Sequence, residues 1–410
     1  MGVGGAYRKL TDLNLRVLRQ TGRGATLGVS VTLFPMEACT EGKDGLDPTA
    51  SASPPEEKAC EARPTRTTIK VAGAPTFSVP PPCGNAKAYV VLAAPAMAAL
   101  ANNLVAAAPE RFVYYPSKWR KFDDGTDNIK LGGFDENLMM PDADVLFLAS
   151  FNNNDTTLSQ LHALTWIAES GFVASLTILL AFLPTATMER SLRPGRIATC
   201  NTTAKLLSHL PATGGSRKTR VMVYDVHAPP AQFFFTGHAY ATLHTACPLV
   251  AAKIRSMPEG ERIDCIAFPD EGACKRFGGF FKSEFEGAGI ELVTCCKKRN
   301  VGGAGRVVEI FDGDPRGKNV LIMDDLVQTG GTLYEAAAKL LESGAKTVSG
   351  FVVHAVFPKE SWRRFLRSGD RGSVFTKFWL TNSNPAVCDA LPTDDTFEVL
   401  NLTPRILVDL

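Results

Sequence analysis

From about residue 86 onward, short runs of apolar and β-branched residues alternate with helix-like stretches, and this alternation most limits the possible folds. Strands that alternate with helices at this spacing predict parallel sheets covered by helices. The runs are too numerous for one ordinary sheet, and 410 residues suffice for two cores, so we predict an α/β fold with two stacked domains. The runs occupy residues 88–92, 145–149, 176–182, 220–225, 263–268, 320–324 and 347–356.

The N-terminal part of the chain differs from the rest. Residues 47–83 are rich in Pro, Ser, Thr and Ala, and proline clusters interrupt any periodic pattern, so we expect residues 1–85 to form a flexible extension. Within it, residues 7–23 place basic side chains between leucines, which fits either an organelle-targeting helix or a solvated segment. We place the two α/β domains at residues 86–243 and 244–410.

Bulk properties exclude several classes of partner. The chain has 44 basic and 42 acidic residues, and its net charge of +2 gives no global electrostatic case for nucleic acid or an anionic membrane. The longest apolar run, residues 172–183, is too short to span a bilayer and predicts a buried strand. Ten cysteines without a CxxC pair indicate apolar filler in a reducing compartment. We therefore expect a cytoplasmic protein, with organelle targeting by the extension left open.

Residues 320–332 are typical of a strand, a loop and the start of a helix. Two glycines let successive backbone N–H groups turn toward one point, two hydroxyls add donors, and the helix dipole adds positive potential, so a phosphate monoester fits there. The adjacent carboxylates Asp324 and Asp325 suit the vicinal hydroxyls of a ribose. The alternative is an ordinary strand-to-helix turn with Gly for positive φ and Asp as a cap. The loop residues are Thr329, Gly330, Gly331 and Thr332.

This segment resembles the phosphoribosyl pyrophosphate motif shared by phosphoribosyltransferases and phosphoribosyl pyrophosphate synthetases. The resemblance implies that Asp324 and Asp325 hold the ribose 2- and 3-hydroxyls and that residues 329–332 hold the 5-phosphate. It also implies two phosphoribosyltransferase-like domains. The helix that follows is predicted to end at Gly344. Its predicted apolar face consists of Leu333, Ala336, Ala337, Leu340 and Leu341.

Two further segments resemble the synthetases. Residues 224–228 are similar to the D-x-H-A segment, which implies that His227 helps to hold the Mg²⁺ ion on ATP. Residues 268–272 are similar to the segment that supplies a second carboxylate on the metal side, which implies the same role for Asp270. Without the resemblance, a lone histidine at the end of an apolar run is more often a structural core or loop residue than a metal ligand.

A basic cluster precedes a glycine-rich stretch. Lys297-Lys298-Arg299, followed by residues 300–305, occupies the position of the mobile catalytic loop of the synthetases, and we align Lys297 and Arg299 with its K-x-R. Cations on a loop that closes over MgATP would neutralise charge on the transferring group. The alternative is a solvated surface hairpin.

Two upstream segments resemble the nucleotide site. Phe122 and Asp124 belong to a string similar to F-x-D-G, which in synthetases contacts the adenine from a neighbouring subunit, so the resemblance implies a homo-oligomer. Residues 183–190 depart from the R-Q-D-R string of the commonest branch and are similar to the plant-type class II branch, with Arg190 retained. The string at residues 325–332 and the segments 354–365 and 397–400 share that likeness.

The resemblance as a whole, over roughly residues 112–410, implies a ribose-phosphate diphosphokinase. Such an enzyme transfers the β,γ-diphosphate of MgATP to O1 of ribose 5-phosphate and releases AMP. Two alternatives stay open at this point: a phosphoribosyltransferase, and a non-catalytic synthetase-associated subunit that regulates an active partner.

Overall fold

The structure is a computed structural model that describes seven parts of the chain, all within one compact unit, Ala62–Leu410. For residues 67–69, 77–79, 297–299 and 306–307 it describes the backbone alone. Strands β1 (Thr67–Ile69) and β2 (Phe77–Val79) form an antiparallel pair within the predicted extension, whose flexibility stays a prediction. The described parts are residues 67–69, 77–79, 88–134, 142–299, 306–366, 374–393 and 395–410.

The first half of the described chain forms a six-stranded sheet in which every neighbouring pair is parallel. Between the second and third strands of this sheet in the sequence, the chain forms a separate antiparallel hairpin, β5 (Lys118–Lys121) and β6 (Asp127–Lys130). Its helices are α1 (Ala98–Ala107), α2 (Asn154–Ser170) and α3 (Thr199–Ser208). Its strands are β3 (Tyr89–Ala93), β4 (Phe112–Tyr114), β7 (Asp144–Leu148), β8 (Ser175–Leu179), β9 (Thr219–Tyr224) and β10 (Ala239–His244), in the spatial order β10-β9-β8-β7-β3-β4.

The second half forms a seven-stranded sheet that is parallel except for one edge strand. Its strands are β11 (Cys265–Phe268), β12 (Glu291–Arg299), β13 (Arg306–Asp312), β14 (Asn319–Val327), β15 (Thr347–Ala355), β16 (Phe378–Thr381) and β17 (Phe397–Leu400), in the order β13-β12-β11-β14-β15-β16-β17. Its helices are α4 (Cys247–Arg255), α5 (Glu271–Glu284), α6 (Gly331–Glu342), α7 (Pro385–Cys388) and α8 (Thr403–Asp409).

The two sheets share a central hydrophobic core. Successive side chains of a strand point to opposite faces, so alternate residues of one strand enter different cores. Leu146 of β7 and Ile266 of β11 belong to the shared core, whereas their neighbours Val145 and Cys265 belong to two outer cores. Helices α1, α4, α5 and α8 contribute to the shared core, which joins the two halves.

Helix α8 also binds the first sheet through polar contacts. The Asp409 carboxylate accepts a hydrogen bond from the Tyr224 hydroxyl (2.7 Å) and lies 3.4 Å from His244 Nδ1. The Arg220 guanidinium donates to the Asp409 carbonyl oxygen (3.2 Å). Helix α8 therefore fixes the end of strand β9.

The predicted fold class is confirmed: parallel sheets are covered by helices in two stacked layers. All seven predicted strands are present, with ends shifted by a few residues. Strand β8 lies within the apolar run 172–183, and no helix in the described residues is long and apolar enough to cross a bilayer. The last strand of the first sheet ends at His244 and the first strand of the second begins at Cys265, while the domain limits stay a prediction.

Candidate active site

The predicted phosphate loop joins strand β14 to helix α6. Gly330 has φ +76° and immediately precedes the helix, which begins at Gly331. The buried positions Leu333, Ala336, Ala337 and Leu340 follow a helical repeat, whereas Leu341 is 36% exposed and lies outside the buried face. The first-turn N–H groups have no partner within the helix, so they are donors for an anion.

Gly330 is required by both conformation and space. Its φ lies in the left-handed region, which side chains other than glycine rarely adopt. A Cβ atom at this position would lie 2.3 and 2.5 Å from ring carbons of Phe365, a fully buried side chain. The loop backbone therefore packs directly against the turn that carries Phe365.

Replacing Gly330 with alanine is expected to lower the free energy of unfolding by about 2–4 kcal/mol, because left-handed strain and overpacking add. The affinity of the loop for a phosphate monoester is expected to fall at least about tenfold as the loop shifts. Gly317→Ala is the matched control, since Gly317 has φ +71° and open space around its Cβ position. Urea denaturation of both variants measures the difference; equal losses would show that the Phe365 contact is not tight.

Asp325 is buried at the centre of a charged cluster. Its Oδ2 atom accepts a hydrogen bond from His227 Nδ1 at 2.9 Å. Arg276 Nη1 lies 2.9 Å from the same Oδ2 atom and forms an ion pair with it. Burial alone would raise the pKa of Asp325, but His227 and Arg276 hold it well below its ordinary value. Asp325 is therefore ionised, and the same hydrogen bond raises the pKa of His227.

Asp324 has a different environment from Asp325. Its carboxylate is half-buried and accepts the Asp325 backbone N–H at 2.9 Å. Burial, and then the neighbouring Asp325 carboxylate, raise the pKa of Asp324 well above its ordinary value, and Asp270 adds to the negative potential. The two adjacent carboxylates therefore differ: His227 and Arg276 lower the pKa of Asp325, whereas burial and the Asp325 carboxylate raise the pKa of Asp324.

Arg276 is a site residue that the sequence analysis did not predict. It lies on helix α5 three residues after the buried Ala273, so it shares the helix face that packs inward. Its guanidinium also donates a short hydrogen bond to the His227 carbonyl oxygen. A cation on an otherwise inward-facing helix position is the signal that could have identified it.

His227 reaches the cluster from the first sheet. Strand β9 ends at Tyr224, and the buried Asp225 carboxylate accepts hydrogen bonds from Thr245 Oγ1 and the Ala246 N–H, both at 2.7 Å. These bonds fix the backbone just before His227. The two prolines at 229 and 230 open a 3₁₀ turn, Pro229–Phe234, where the missing N–H of proline costs no hydrogen bond.

A small cleft adjoins this cluster. Its lining includes His227 and Asp325 together with Leu183, Ala186 and Thr187 from the first half of the chain. The structure therefore brings the predicted nucleotide segment next to the predicted metal-side histidine. Arg190 follows at the end of this segment; it is exposed, and its Nε lies 3.2 Å from Glu189 Oε1.

Asp270 caps helix α5. Its Oδ1 atom accepts the Ala273 N–H at 2.9 Å, which is the structural role expected of an aspartate at a helix start. The residue is exposed, and it contributes to the negative potential at Asp324. Within the described residues, no three potential ligands are close enough together to form a metal cluster.

The carboxylates nevertheless fit a hard divalent cation. Burial, and then the neighbouring Asp325 carboxylate, raise the pKa of Asp324, and a cation beside Asp324 would favour its ionised form. Carboxylate oxygens are the ligands that Mg²⁺ prefers. His227 uses Nδ1 for Asp325, so only Nε2 could face an ion. The donor chemistry is therefore compatible with Mg²⁺.

Phe122 and Asp124 lie at the turn of the β5–β6 hairpin. Phe122 is 56% exposed, and Asp124 accepts hydrogen bonds from the N–H (2.8 Å) and hydroxyl (2.6 Å) of Thr126. Neither residue lines the cleft beside His227. The structure does not bring this pair to the site within one described chain.

Lys297 and Arg299 are the last residues of strand β12, paired with Val308 and Arg306 of β13. Strands β12, β11 and β14 are parallel neighbours, so β12 ends at the same sheet edge as the strand that carries Asp324. The side chains of both residues, and all of residues 300–305, lie outside the described parts. Their catalytic role stays a prediction.

His354 links the second sheet to the first at the base of the site. Its Nε2 atom lies 2.9 Å from the Tyr224 carbonyl oxygen, and its Nδ1 atom lies 2.9 Å from Ser383 Oγ. Because the carbonyl can only accept, Nε2 carries the proton. The ring is buried, and burial lowers the pKa of His354 to about 4. The neutral imidazole therefore holds Tyr224, three residues before His227.

The contribution of His354 to stability is expected to fall as the pH drops from 6.5 toward 4. In that range the unfolded chain protonates His354 at its ordinary pKa of 6.5, whereas the folded chain does so only near 4. The wild type should lose about 2 kcal/mol more than His354→Gln between pH 7 and 4.5. Urea denaturation at both pH values measures this, and parallel losses in the two proteins would contradict it.

Comparison with known proteins gives several relatives. The chain is 37% identical over 304 residues to ribose-phosphate pyrophosphokinase 4 of Oryza sativa subsp. japonica, covering 74% of this chain and 89% of the relative. It is 36% identical over 291 residues to the chloroplastic ribose-phosphate pyrophosphokinase 3 of Arabidopsis thaliana, covering 70% and 67%. It is 35% identical over 294 residues to the mitochondrial form of Spinacia oleracea, covering 71% and 69%. No family model matches the chain.

A solved structure shares the fold. The phosphoribosylpyrophosphate synthetase of Mycobacterium smegmatis matches with a TM-score of 0.62 at 23% identity, covering 79% of this chain and 97% of the other. The fold match agrees with the two stacked sheets described above. On the sequence relatives, which reach 37% identity over most of both chains, the protein belongs to the ribose-phosphate pyrophosphokinase family.

Proposed function

We propose that the chain is a ribose-phosphate diphosphokinase, which transfers the β,γ-diphosphate of MgATP to O1 of ribose 5-phosphate and releases AMP. One observation carries the proposal: a glycine loop at a helix start adjoins the Asp324–Asp325 pair, where His227 and Arg276 converge from other elements. Family membership favours this activity over the transferase and regulatory-subunit alternatives.

The loop is the proposed anchor of ribose 5-phosphate. The 5-phosphate would accept hydrogen bonds from residues 329–332 at the start of helix α6. Asp324 is the better placed of the two carboxylates to accept a ribose hydroxyl, because Asp325 Oδ2 already contacts His227 and Arg276. Asp325 would then orient the ribose ring through its Oδ1 atom, while its Oδ2 atom keeps His227 and Arg276 in place.

Charge neutralisation is the proposed role of Lys297 and Arg299. Phosphoryl transfer has little covalent chemistry for the protein to do, so positioning and electrostatic stabilisation supply most of the rate. Strand β12 ends at the sheet edge that carries the phosphate loop, which is compatible with both cations reaching the transferring diphosphate. No covalent enzyme intermediate is implied.

His227 and Asp270 are the proposed metal-side residues, with Asp324 adding negative potential. A bound Mg²⁺ would act as a Lewis acid on the phosphate oxygens. His227 can present only Nε2 to it, while the Asp325 bond fixes the ring orientation.

A second copy of the chain is the proposed source of Phe122 and Asp124 for the adenine site. Both residues are exposed at the tip of the β5–β6 hairpin, and neither lines the cleft beside His227. Leu183, Ala186 and Thr187 of the same chain line that cleft. Exposed aromatic rings at such a tip suit stacking on a base. We therefore infer a homo-oligomer with nucleotide sites shared between subunits.

A cytoplasmic location is the first candidate, and organelle targeting by residues 1–85 is the second. Two of the relatives are named as chloroplastic and mitochondrial forms. Fusing residues 1–85 to a fluorescent protein separates the two: a diffuse signal supports the cytoplasm, and an organellar signal contradicts it.

The activity is tested with the purified chain, MgATP and ribose 5-phosphate, followed by phosphorus NMR. The expected products are AMP and a sugar carrying both a 5-phosphate and a 1-diphosphate. ADP as the only nucleotide product, or nucleotide binding without turnover, would contradict the proposal. Omitting ribose 5-phosphate is the control, since AMP formed without it would indicate hydrolysis.

A further inference from the structure

We propose that Arg364 is a further substrate-binding residue, which recognises the dianionic 5-phosphate of the sugar. This inference rests on the proposed function, since it adds a residue to the same phosphate loop. Arg364 belongs to the 3₁₀ turn Pro358–Phe365, which follows strand β15.

Two contacts attach this turn to the loop, and Arg364 lies beside it. Ser361 Oγ donates a hydrogen bond to the Gln328 carbonyl oxygen at 3.2 Å, just before Thr329. The Phe365 ring packs against the Cα of Gly330 so closely that a Cβ atom there would lie 2.3 Å away. The Arg364 Nη1 atom lies 3.6 Å from the position that a Cβ of Gly331 would occupy. Its guanidinium is therefore beside the first residue of helix α6.

The backbone of the turn is held in an unusual conformation. Phe357, Lys359 and Glu360 all have φ values between +42° and +56°, in the left-handed region. Such a conformation costs free energy at each residue, and it persists because Trp362 and Phe365 are buried in the outer core of the second sheet. Trp362 and Phe365 flank the Arg363–Arg364 pair in the sequence, so these two buried aromatic residues fix the Cα of Arg364.

The charge of Arg364 is not neutralised within the described chain. Its side chain is exposed and makes no ion pair with a described carboxylate. The adjacent Arg363 is different: its guanidinium lies 2.6 Å from Glu360 and 5.0 Å from the centroid of the Trp362 ring. Of two neighbouring arginines, one is used within the turn, and the other presents a free guanidinium beside the loop.

A free guanidinium supplies what the loop itself lacks. Backbone N–H groups and a helix start carry only about half of a positive charge, whereas a phosphate monoester approaches two negative charges at neutral pH. Arginine matches phosphate oxygens with paired, charge-assisted hydrogen bonds. Arg364 would therefore select sugars that carry a 5-phosphate over the unphosphorylated sugar.

Arg364→Gln and Arg363→Gln make a matched pair for the test. In Arg364→Gln, the KM for ribose 5-phosphate is expected to rise about 10- to 100-fold, with kcat and the KM for MgATP within about threefold of wild type. Arg363→Gln should leave all three values within about twofold. Arg364→Lys should give an intermediate KM, because lysine keeps the charge but not the paired geometry.

Titration calorimetry with ribose 5-phosphate alone gives a second readout that needs no turnover. Binding weakened in Arg364→Gln and retained in Arg363→Gln supports the proposal. An unchanged affinity and KM in Arg364→Gln overturns it while leaving the proposed function intact. A fall in kcat without a change in KM also overturns it, since Arg364 would then be only a positioning residue. If the wild type binds ribose 5-phosphate but forms no AMP, the proposed function fails and the calorimetric comparison still decides the role of Arg364.

Discussion

Lys297→Ala is expected to lower kcat about a thousandfold while the affinity for ribose 5-phosphate stays within about twofold. A cation that meets charge developing on the transferred group contributes in the transition state and little in the ground state, so its loss appears in kcat. The phosphate loop and Asp324 lie on strand β14 and helix α6, and the substitution leaves them intact. Steady-state kinetics and calorimetric titration with ribose 5-phosphate measure the two quantities separately.

The neighbouring lysine is the control for this substitution. Lys298→Ala removes the same charge and side chain one residue away, at the same end of strand β12. It should change kcat by no more than about threefold. Equal losses in both variants would point to general electrostatics of the strand end, and unchanged turnover in Lys297→Ala would reject its catalytic assignment.

Arg276→Met is expected to lower the free energy of unfolding by about 3 kcal/mol and kcat/KM by a hundredfold or more. The substitution leaves the buried Asp325 carboxylate with the His227 hydrogen bond but without its arginine, and breaking one partner of a buried pair typically costs this much. It also removes the hydrogen bond to the His227 carbonyl oxygen. Urea denaturation and steady-state kinetics measure the two effects.

A double substitution separates stability from activity. Arg276→Met combined with Asp325→Asn removes both buried charges, so most of the lost stability should return. The activity should not return, because the charged cluster that holds His227 is absent. If the double variant is no more stable than Arg276→Met alone, the coupling between the two charges is not the source of the loss.

The sheets could be predicted because their strands are buried on both faces. Strands such as β7 and β8 are continuous apolar runs in sequence, as parallel strands under helices must be. The β5–β6 hairpin was missed because its residues are mostly charged and exposed, so no apolar run marks it. Strand β10 was missed for a related reason: it is an edge strand, and most of its residues are only partly buried.

The strand, loop and helix start at residues 320–332 could be predicted because the residues are consecutive, and the structure places residues 329–332 at the start of helix α6 as expected. The cluster around Asp325 could not, because its members meet only through tertiary packing. Arg276 lies 49 residues from both His227 and Asp325, and nothing in the sequence pairs an arginine with a particular distant carboxylate. The ion pair between Arg363 and Glu360 likewise depends on a left-handed backbone conformation that the local sequence does not predict. Arg364 has no ion-pair partner among the described residues.

The contact between Asp409 and Tyr224 has a consequence for biosynthesis. Strand β9 is translated long before residues 403–409, yet the hydroxyl of Tyr224 and the guanidinium of Arg220 bind that late segment. A nascent chain on the ribosome can assemble most of its first sheet early, but the strand end that precedes His227 gains its final anchor only after helix α8 has emerged. The segment that carries His227 therefore reaches its final packing only after residues 185 positions beyond Tyr224 have been synthesised.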